Sequence, residues 1–197
     1  MRGAFRSIGR AFVILGLVAV AAGTGGCAHA SLWNTVGKPP ADSVVLPVKA
    51  IRQVENRCGP NALAMALNAT GDPIGEPAVA AAILNPRVDA TLSIDLLLFA
   101  RGRGFPADFE RGTTARLMEL IAAGEAPILL LNLEPGAPWP MKGRPLWHYV
   151  VAYGFNRSRG LLLIQSGIGP KSMPFAKLEK LWKPGGFWMM HLGRRTQ

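Results

Sequence analysis

The chain has 197 residues, of which 49% are hydrophobic, and a formal net charge of +10. This length suits one domain rather than two, and the apolar content excludes a disordered chain. The positive charge suits anionic lipid or an acidic partner. No dense basic run or nucleic-acid-binding motif accompanies it, so we expect no nucleic-acid function.

The N-terminus has the pattern of an export signal. Residues 1–10 form a short basic segment, residues 11–22 are apolar, and small residues follow up to Gly26. This order is the signature of a secretory signal peptide. The apolar run is too short to span a membrane comfortably. We therefore expect residues 1–26 to be a signal peptide that is removed.

Cys27 follows the small residues directly. The sequence Thr24-Gly-Gly-Cys27 resembles the lipobox of bacterial lipoproteins, in which the cysteine is acylated and becomes N-terminal, although Thr24 replaces the usual Leu. Ala28 stands where an aspartate often retains lipoproteins in the inner membrane. The resemblance implies an exported, lipid-anchored protein on the periplasmic side of the outer membrane. A plain signal peptide with a coincidental cysteine, or a Cys27–Cys58 disulfide, remains the alternative.

The next segments predict a tether and then a helical region. Residues 27–44 contain the lipidated cysteine and a Pro-, Gly- and Ser-rich tether, and residues 45–197 form the folded domain, with a short strand within residues 45–52. Apolar spacing and end signals then predict four helices. They cover residues 59–69, 77–84, 94–103 (capped by Ser93) and about 114–123.

The second half of the chain predicts strands. They cover residues 127–133, 148–155, 161–165 and 187–192, with a loop over 134–146, a hairpin turn before Gly160 and a short helix over 175–183. Helices followed by strands favour an α+β fold, with the N-terminal helices packed on a C-terminal antiparallel sheet. No phosphate-binding loop or dinucleotide fingerprint is present, so we expect no cofactor and no ATP site.

Cys58 stands at the start of the first predicted helix. The positive end of a helix stabilises thiolate there and lowers the pKa of the thiol, as does a neighbouring histidine. Gly59 would let the backbone approach a substrate closely. Gln53, five residues earlier, could donate its amide to a developing oxyanion together with the Cys58 backbone N–H.

His148 begins a predicted strand directly after the Pro-rich loop. A cysteine followed about ninety residues later by a histidine is the order expected of a thiol nucleophile and its base. The two cysteines and the three histidines (His29, His148 and His191) show no metal-ligand spacing, so we expect no metal. His191, on an apolar strand, is interpreted as structural.

The sequence segments around Cys58 and His148 together resemble a known family. Gln53 followed by Cys-Gly-Pro-x-Ala-Leu-Ala-Met and later by His-Tyr-Val-Val-x-x-Gly-Phe resembles the papain-like, double-glycine-leader peptidases of peptidase family C39. The likeness is greatest to their free-standing bacterial lipoprotein relatives and spans residues 45–192. It implies a papain-like cysteine peptidase fold. It also implies Cys58 as the nucleophile, His148 as the general base and Gln53 as the oxyanion-hole residue.

One position departs from the family pattern. Where the family has Asp after the histidine hairpin, this chain has Gln165 and Ser166. A neutral side chain can orient an imidazole, but it does not stabilise imidazolium as a carboxylate would. The resemblance implies a cysteine endopeptidase acting on a peptide or protein, by analogy after small residues such as Gly-Gly or Gly-Ala. The alternatives are a peptidase-like module that binds peptides or a partner without cutting, and another acyl-transfer enzyme on the same scaffold.

Overall fold

The computed structural model describes residues 34–35, 39–54, 56–87, 89–134, 143–167 and 169–195. The helices over these residues are α1 (Cys58–Ala69), α2 (Glu76–Ile83), α3 (Ser93–Gly102), α4 (Thr114–Ala122) and α5 (Phe175–Trp182). The strands are β1 (Asn34–Thr35), β2 (Val44–Val45), β3 (Ala107–Arg111), β4 (Ile128–Asn132), β5 (Trp147–Asn156), β6 (Leu161–Gln165), β7 (Pro170–Pro174) and β8 (Trp188–Leu192).

All of these strands belong to one antiparallel sheet. Its order is β1-β7-β6-β5-β4-β8-β3, and β2 pairs with the end of β5. Helices α1, α2 and α3 share a hydrophobic core with one face of the sheet, and α4 and α5 share a second core with the other face. The predicted α+β class is therefore confirmed, with helices on both faces rather than one.

Helix α1 is the centre of the first core. Nine consecutive residues, Gly59 to Leu67, are buried, so the helix is covered on every side. Alanine and leucine, which dominate this stretch, are the strongest helix formers, and a helix that is apolar all round belongs inside a protein. Because α1 packs against α2, α3 and β5, the position of its first residue, Cys58, is set by the core.

Two strands of five residues each are absent from the sequence prediction. β3 has a polar sequence, Ala-Asp-Phe-Glu-Arg, with only its first residue buried, and pairs with β8. β7 begins and ends with proline, a residue that lacks the ladder N–H and argues against a strand. Tertiary pairing, rather than local preference, makes both segments extended.

The predicted boundaries change at two places. Asn34–Thr35 pairs with β7 and Val44–Val45 with β5, so parts of the predicted tether belong to the sheet. Ser93 is not the cap of α3, since Leu92 occupies that position. The predicted signal peptide and Cys27 lie outside the described residues. Among the described residues, no helix is both long and apolar enough to cross a bilayer.

Substitution of Gly112 would test the packing of the second core. A Cβ at this position would lie 2.5 Å from the ring of Trp182, which is fully buried and donates its indole N–H to the Trp188 carbonyl at 2.7 Å. Gly112→Ala should therefore lower the free energy of unfolding by about 1–3 kcal/mol, as overpacking usually does. Urea denaturation would measure the change.

Gly102 provides the matched control. It is the last residue of α3, and a Cβ there would meet no atom within 4 Å. Gly102→Ala should raise the free energy of unfolding by about 0.4–1 kcal/mol, because alanine has less conformational entropy to lose. Equal effects of the two substitutions would contradict the packing of Trp182 against Gly112.

Candidate active site

An opening in the sheet forms where β6 separates from β5. The pairing of the two strands ends at Val151 and Gln165, while β5 continues back to Trp147 beside β4. The Leu133 N–H donates to Leu146 and the Ala152 N–H to Pro127, both across the β4 side. In an antiparallel ladder such bonds alternate along the strand, so the N–H of Tyr149 points away from β4, into the opening.

Cys58 lies at this opening and is carried there by helix α1 rather than by a strand. It is the first residue of α1, is half-buried and carries a free thiol. Its sulfur accepts hydrogen bonds from the backbone N–H of Tyr149, of Gly59 and of Cys58 itself. The structure thus brings the predicted nucleophile against the residue that directly follows His148.

The electrostatics of the pair differ from the sequence expectation. Burial raises the pKa of the Cys58 thiol, and the three N–H donors oppose this only in part. Burial also lowers the pKa of His148 to about 4, with the hydrogen bond to Ser166 acting in the opposite direction. The expected lowering of the thiol pKa is therefore wrong for the ligand-free protein, because desolvation outweighs the helix end. Both side chains are neutral near pH 7.

The imidazole of His148 is oriented by a backbone group. It hydrogen-bonds the carbonyl of Ser166, whereas the sequence predicts a side chain of Ser166 or Gln165 in this role. Ser166 Oγ and Gln165 Oε1 are both buried, and neither has a hydrogen-bond partner among the described residues. A carbonyl only accepts, so the ring nitrogen facing it carries the proton and the other nitrogen is left basic.

Gln53 lies beside the same turn. Its N–H donates to the carbonyl of Gly167 at 2.8 Å, which ties the extended segment before α1 to the end of β6. Gly167 has φ of +76°, and a Cβ there would overlap the Gln53 side chain. Only glycine satisfies both conditions, so the predicted oxyanion residue depends on a glycine more than one hundred residues away.

Asn61 is a site residue that the sequence analysis missed. It is 1% exposed, and its amide donates to the carbonyl of Ile51 at 3.0 Å. One turn after Cys58 on α1, it holds the segment that carries Gln53 against the helix. The sequence did contain a signal for this residue, because Asn61 in Cys-Gly-Pro-Asn is a polar residue in an otherwise apolar helix.

A wall beside the start of α1 comes from the segment that leads into α3 and from Tyr149. A Cβ on Gly59 would lie 2.8 Å from Cβ of Thr91. This glycine therefore makes room for Thr91, whereas the sequence analysis expected it to make room for a substrate. The hydroxyls of Ser93 and Tyr149 are hydrogen-bonded at 2.8 Å. The ring of Tyr149 meets Trp188 edge-on at a centroid distance of 5.7 Å. These contacts make the wall rigid.

A pocket opens on the Gln53 side. Its volume is about 610 Å³, and it is lined by Ala50, Ile51, Arg52, Gln53, Gly167 and Gly169. His191 lies away from this pocket's lining, and its Nδ1 is 2.9 Å from a Glu125 oxygen, within hydrogen-bond distance.

Solved peptidase structures share this architecture. The peptidase domain of Streptococcus ComA, a bifunctional ABC transporter of a quorum-sensing pathway, matches with a TM-score of 0.58 and 19% identity over 75% of this chain and 98% of that one. A C39-like peptidase from Bacillus anthracis matches with a TM-score of 0.62 and 18% identity, covering 79% and 99% of the two chains.

A third structure is a double-glycine motif protease of an AMS/PCAT transporter in complex with its leader peptide. It matches with a TM-score of 0.56 and 19% identity, over 75% of this chain and 93% of that one. No protein-family model matches the chain, and no curated protein matches it either. The chain therefore has the papain-like fold of C39 peptidase domains, as the resemblance in its sequence implies.

The pKa shifts predict how the thiol reacts. A raised pKa leaves less thiolate at neutral pH, so Cys58 should react with iodoacetamide more slowly than a free thiol at pH 7. The rate should rise with pH through a midpoint above the ordinary value of about 8.5. His148→Ala should leave the rate between about pH 6 and 8 almost unchanged, because an imidazole with a pKa of about 4 is already neutral there.

The measurement is alkylation of the folded domain followed by intact mass from about pH 5 to 10. A fast reaction at acidic pH that disappears in His148→Ala would instead show a thiolate–imidazolium pair. It would contradict the neutral pair.

Proposed function

We propose that this protein is a cysteine peptidase in which Cys58 attacks a peptide carbonyl and His148 is the general base. One observation carries the proposal. The Cys58 sulfur, at the start of a buried helix, meets the N–H of Tyr149, next to an imidazole that a carbonyl orients. A thiol held beside the residue that follows His148, and an imidazole held by a third group, are the components that nucleophilic catalysis uses.

The neutral pair defines the first step. The basic nitrogen of His148 takes the thiol proton as the sulfur attacks, so that a C–S bond forms and the carbonyl electrons move to oxygen. The Gln53 amide and the Cys58 N–H stabilise this oxyanion. Collapse breaks the C–N bond, and the leaving amine receives the proton from His148. Water, activated by the same imidazole, then hydrolyses the thioester and restores the thiol.

The missing carboxylate makes the charged stage costly. The attack converts the imidazole of His148 into imidazolium. This cation donates its hydrogen bond to the carbonyl of Ser166, which is neutral. A carbonyl dipole stabilises this cation less than a carboxylate would. We therefore expect a slower enzyme than one of the same fold with aspartate at this place.

The same observations favour a second candidate, a peptidase-like module that binds peptides without cutting them. Its support is the neutral, buried thiol together with Gln165 and Ser166 at the position of the usual aspartate. Against it, pure binding needs neither a thiol at a helix start nor an oriented imidazole. Cleavage by the wild-type protein decides between the two.

We propose peptides or proteins as substrates, cut after small residues such as Gly-Gly or Gly-Ala. A neighbour of the same fold was solved with a leader peptide bound. Thr91 packs against Gly59, the residue next to Cys58, and a small substrate residue is the kind that fits beside such a contact.

We also propose export and lipid anchoring through Cys27, on the periplasmic side of the outer membrane. The support is the basic start, the apolar run and Gly-Gly-Cys27 followed by Ala28. Asn34–Thr35 already pairs with β7, so only a few residues would separate the lipid from the sheet. The catalytic domain would then lie close to the membrane surface.

Peptide cleavage tests the catalytic assignment. With peptides containing Gly-Gly or Gly-Ala, Cys58→Ala should abolish cleavage and leave the fold intact. His148→Ala should lower kcat by about 10²–10⁴, the usual contribution of a general base. Gln53→Ala should lower it by about 10²–10³, as loss of an oxyanion donor does. Mass spectrometry of the products and circular dichroism of each variant provide the readouts.

Ser166→Ala is the matched control, because it keeps the carbonyl that orients His148 and removes only a buried hydroxyl that has no partner among the described residues. Its kcat should stay within about threefold of the wild type, which corresponds to about 0.65 kcal/mol in the barrier. Peptides that bind but remain uncut in wild-type protein would exclude the peptidase and leave the binding module.

Fractionation tests the anchor. In a Gram-negative host the wild-type protein should fractionate with the outer membrane and carry the mass of acyl chains on Cys27. Cys27→Ser should be released as soluble periplasmic protein, because a protein without its acyl chains has lost the anchor. Ala28→Asp, as the control, should keep the lipid and move to the inner membrane. A soluble wild type without lipid mass would disprove the anchor.

A further inference from the structure

We infer that the pocket beside Gln53 binds the leaving-group side of the substrate and that Arg52 selects a carboxylate there. This inference rests on the proposed peptidase function and names a specificity that the function leaves open. We call this pocket, lined by Ala50, Ile51, Arg52, Gln53, Gly167 and Gly169, the leaving-side pocket.

The position of the leaving group follows from where its proton comes from. The departing amine must receive its proton from His148, so it lies on the imidazole side of Cys58. The imidazole is bound to the carbonyl of Ser166, and the next residue, Gly167, lines the leaving-side pocket. Thr91 lies against Gly59, the residue that follows the nucleophile. A chain leaving Cys58 past the imidazole therefore enters this pocket.

The shape of the pocket suits a peptide backbone. Gly167 and Gly169 have φ of +76° and +104°, and neither adds a side chain to the lining. The opposite wall is the extended segment from Ala50 to Gln53. Two of its polar groups are already bound, by Gly167 and by Asn61, so the wall is held in place before substrate arrives. A volume of about 610 Å³ admits a few residues of an extended chain.

Arg52 supplies the charge. It is exposed, it is the one charged residue of the lining, and it forms no salt bridge within the described part of the chain. Other arginines there, such as Arg103 with Asp72 and Arg116 with Glu110, already pair with carboxylates. A guanidinium binds a carboxylate through two parallel hydrogen bonds.

The carboxylate could come from an acidic side chain or from the C-terminus of a short leaving peptide. The probes are peptides with one Gly-Gly cut site and Asp, Asn or Lys at the second or third residue after it, all with amidated C-termini. A further probe has neutral side chains and a free C-terminal carboxylate at the third residue. Preference for either carboxylate probe supports the subsite, and the comparison identifies the source.

Wild-type protein should cut the favoured carboxylate probe with a kcat/KM about tenfold above that of the Lys peptide, because attraction of one and repulsion of the other add. Arg52→Gln should bring the ratio close to one, and Arg52→Glu should invert it. Arg157→Glu, an equal charge change at the hairpin turn on the opposite end of β5, should leave the ratio as in wild type. High salt should reduce the preference.

Equal kcat/KM for the carboxylate and Lys peptides, or an unchanged ratio in Arg52→Glu, would overturn the subsite while the peptidase stands. If no peptide is cut, the peptidase proposal fails separately, and the same peptides are titrated against Cys58→Ala protein. If a carboxylate probe then binds more tightly than the Lys peptide, and Arg52→Glu reverses this preference, the result would support the subsite on a binding module. Binding without charge preference would overturn it.

Discussion

The insertion of one helix end into one gap in the sheet is the constraint on which the rest of this structure depends. Helix α1 is buried on all sides, and its first residue, Cys58, fills the opening where β6 leaves β5. The N–H of Tyr149, left without a strand partner by that separation, donates to the sulfur. The core that stabilises the fold therefore also determines where the thiol of the proposed nucleophile lies. Helix, gap and sulfur cannot move independently.

This burial has a chemical consequence. Removing water from the thiol and the imidazole disfavours the charged form of each, so the pair rests in its neutral state. In the proposed reaction, proton transfer then accompanies attack instead of preceding it. The imidazole is held by the backbone carbonyl of Ser166 and not by a side chain. A chain without the usual carboxylate thus keeps an oriented imidazole and loses the electrostatic support that a carboxylate would give to its charged form.

The surroundings of α1's first turn are uneven. Thr91 packs against Gly59, and the hydroxyls of Ser93 and Tyr149 are hydrogen-bonded to each other. Glycines and an extended segment line a pocket beside Gln53. In the proposed reaction the departing amine must meet the imidazole, and on that basis we assign the pocket to the leaving side of the substrate.

The sequence by itself determined the parts that local physics controls. Helix α1 follows from its Ala- and Leu-rich run, the β5–β6 hairpin from its turn, and the candidate nucleophile and base from the sequences around Cys58 and His148. Only the tertiary structure decided the rest. β7 is a strand despite its prolines because β6 and β1 flank it. Burial reversed the expected shift of the thiol pKa, and a backbone carbonyl took the role predicted for a side chain. Strand partners, desolvation and the direction of a carbonyl arise from residues far apart in the chain, and local pattern carries no information about them.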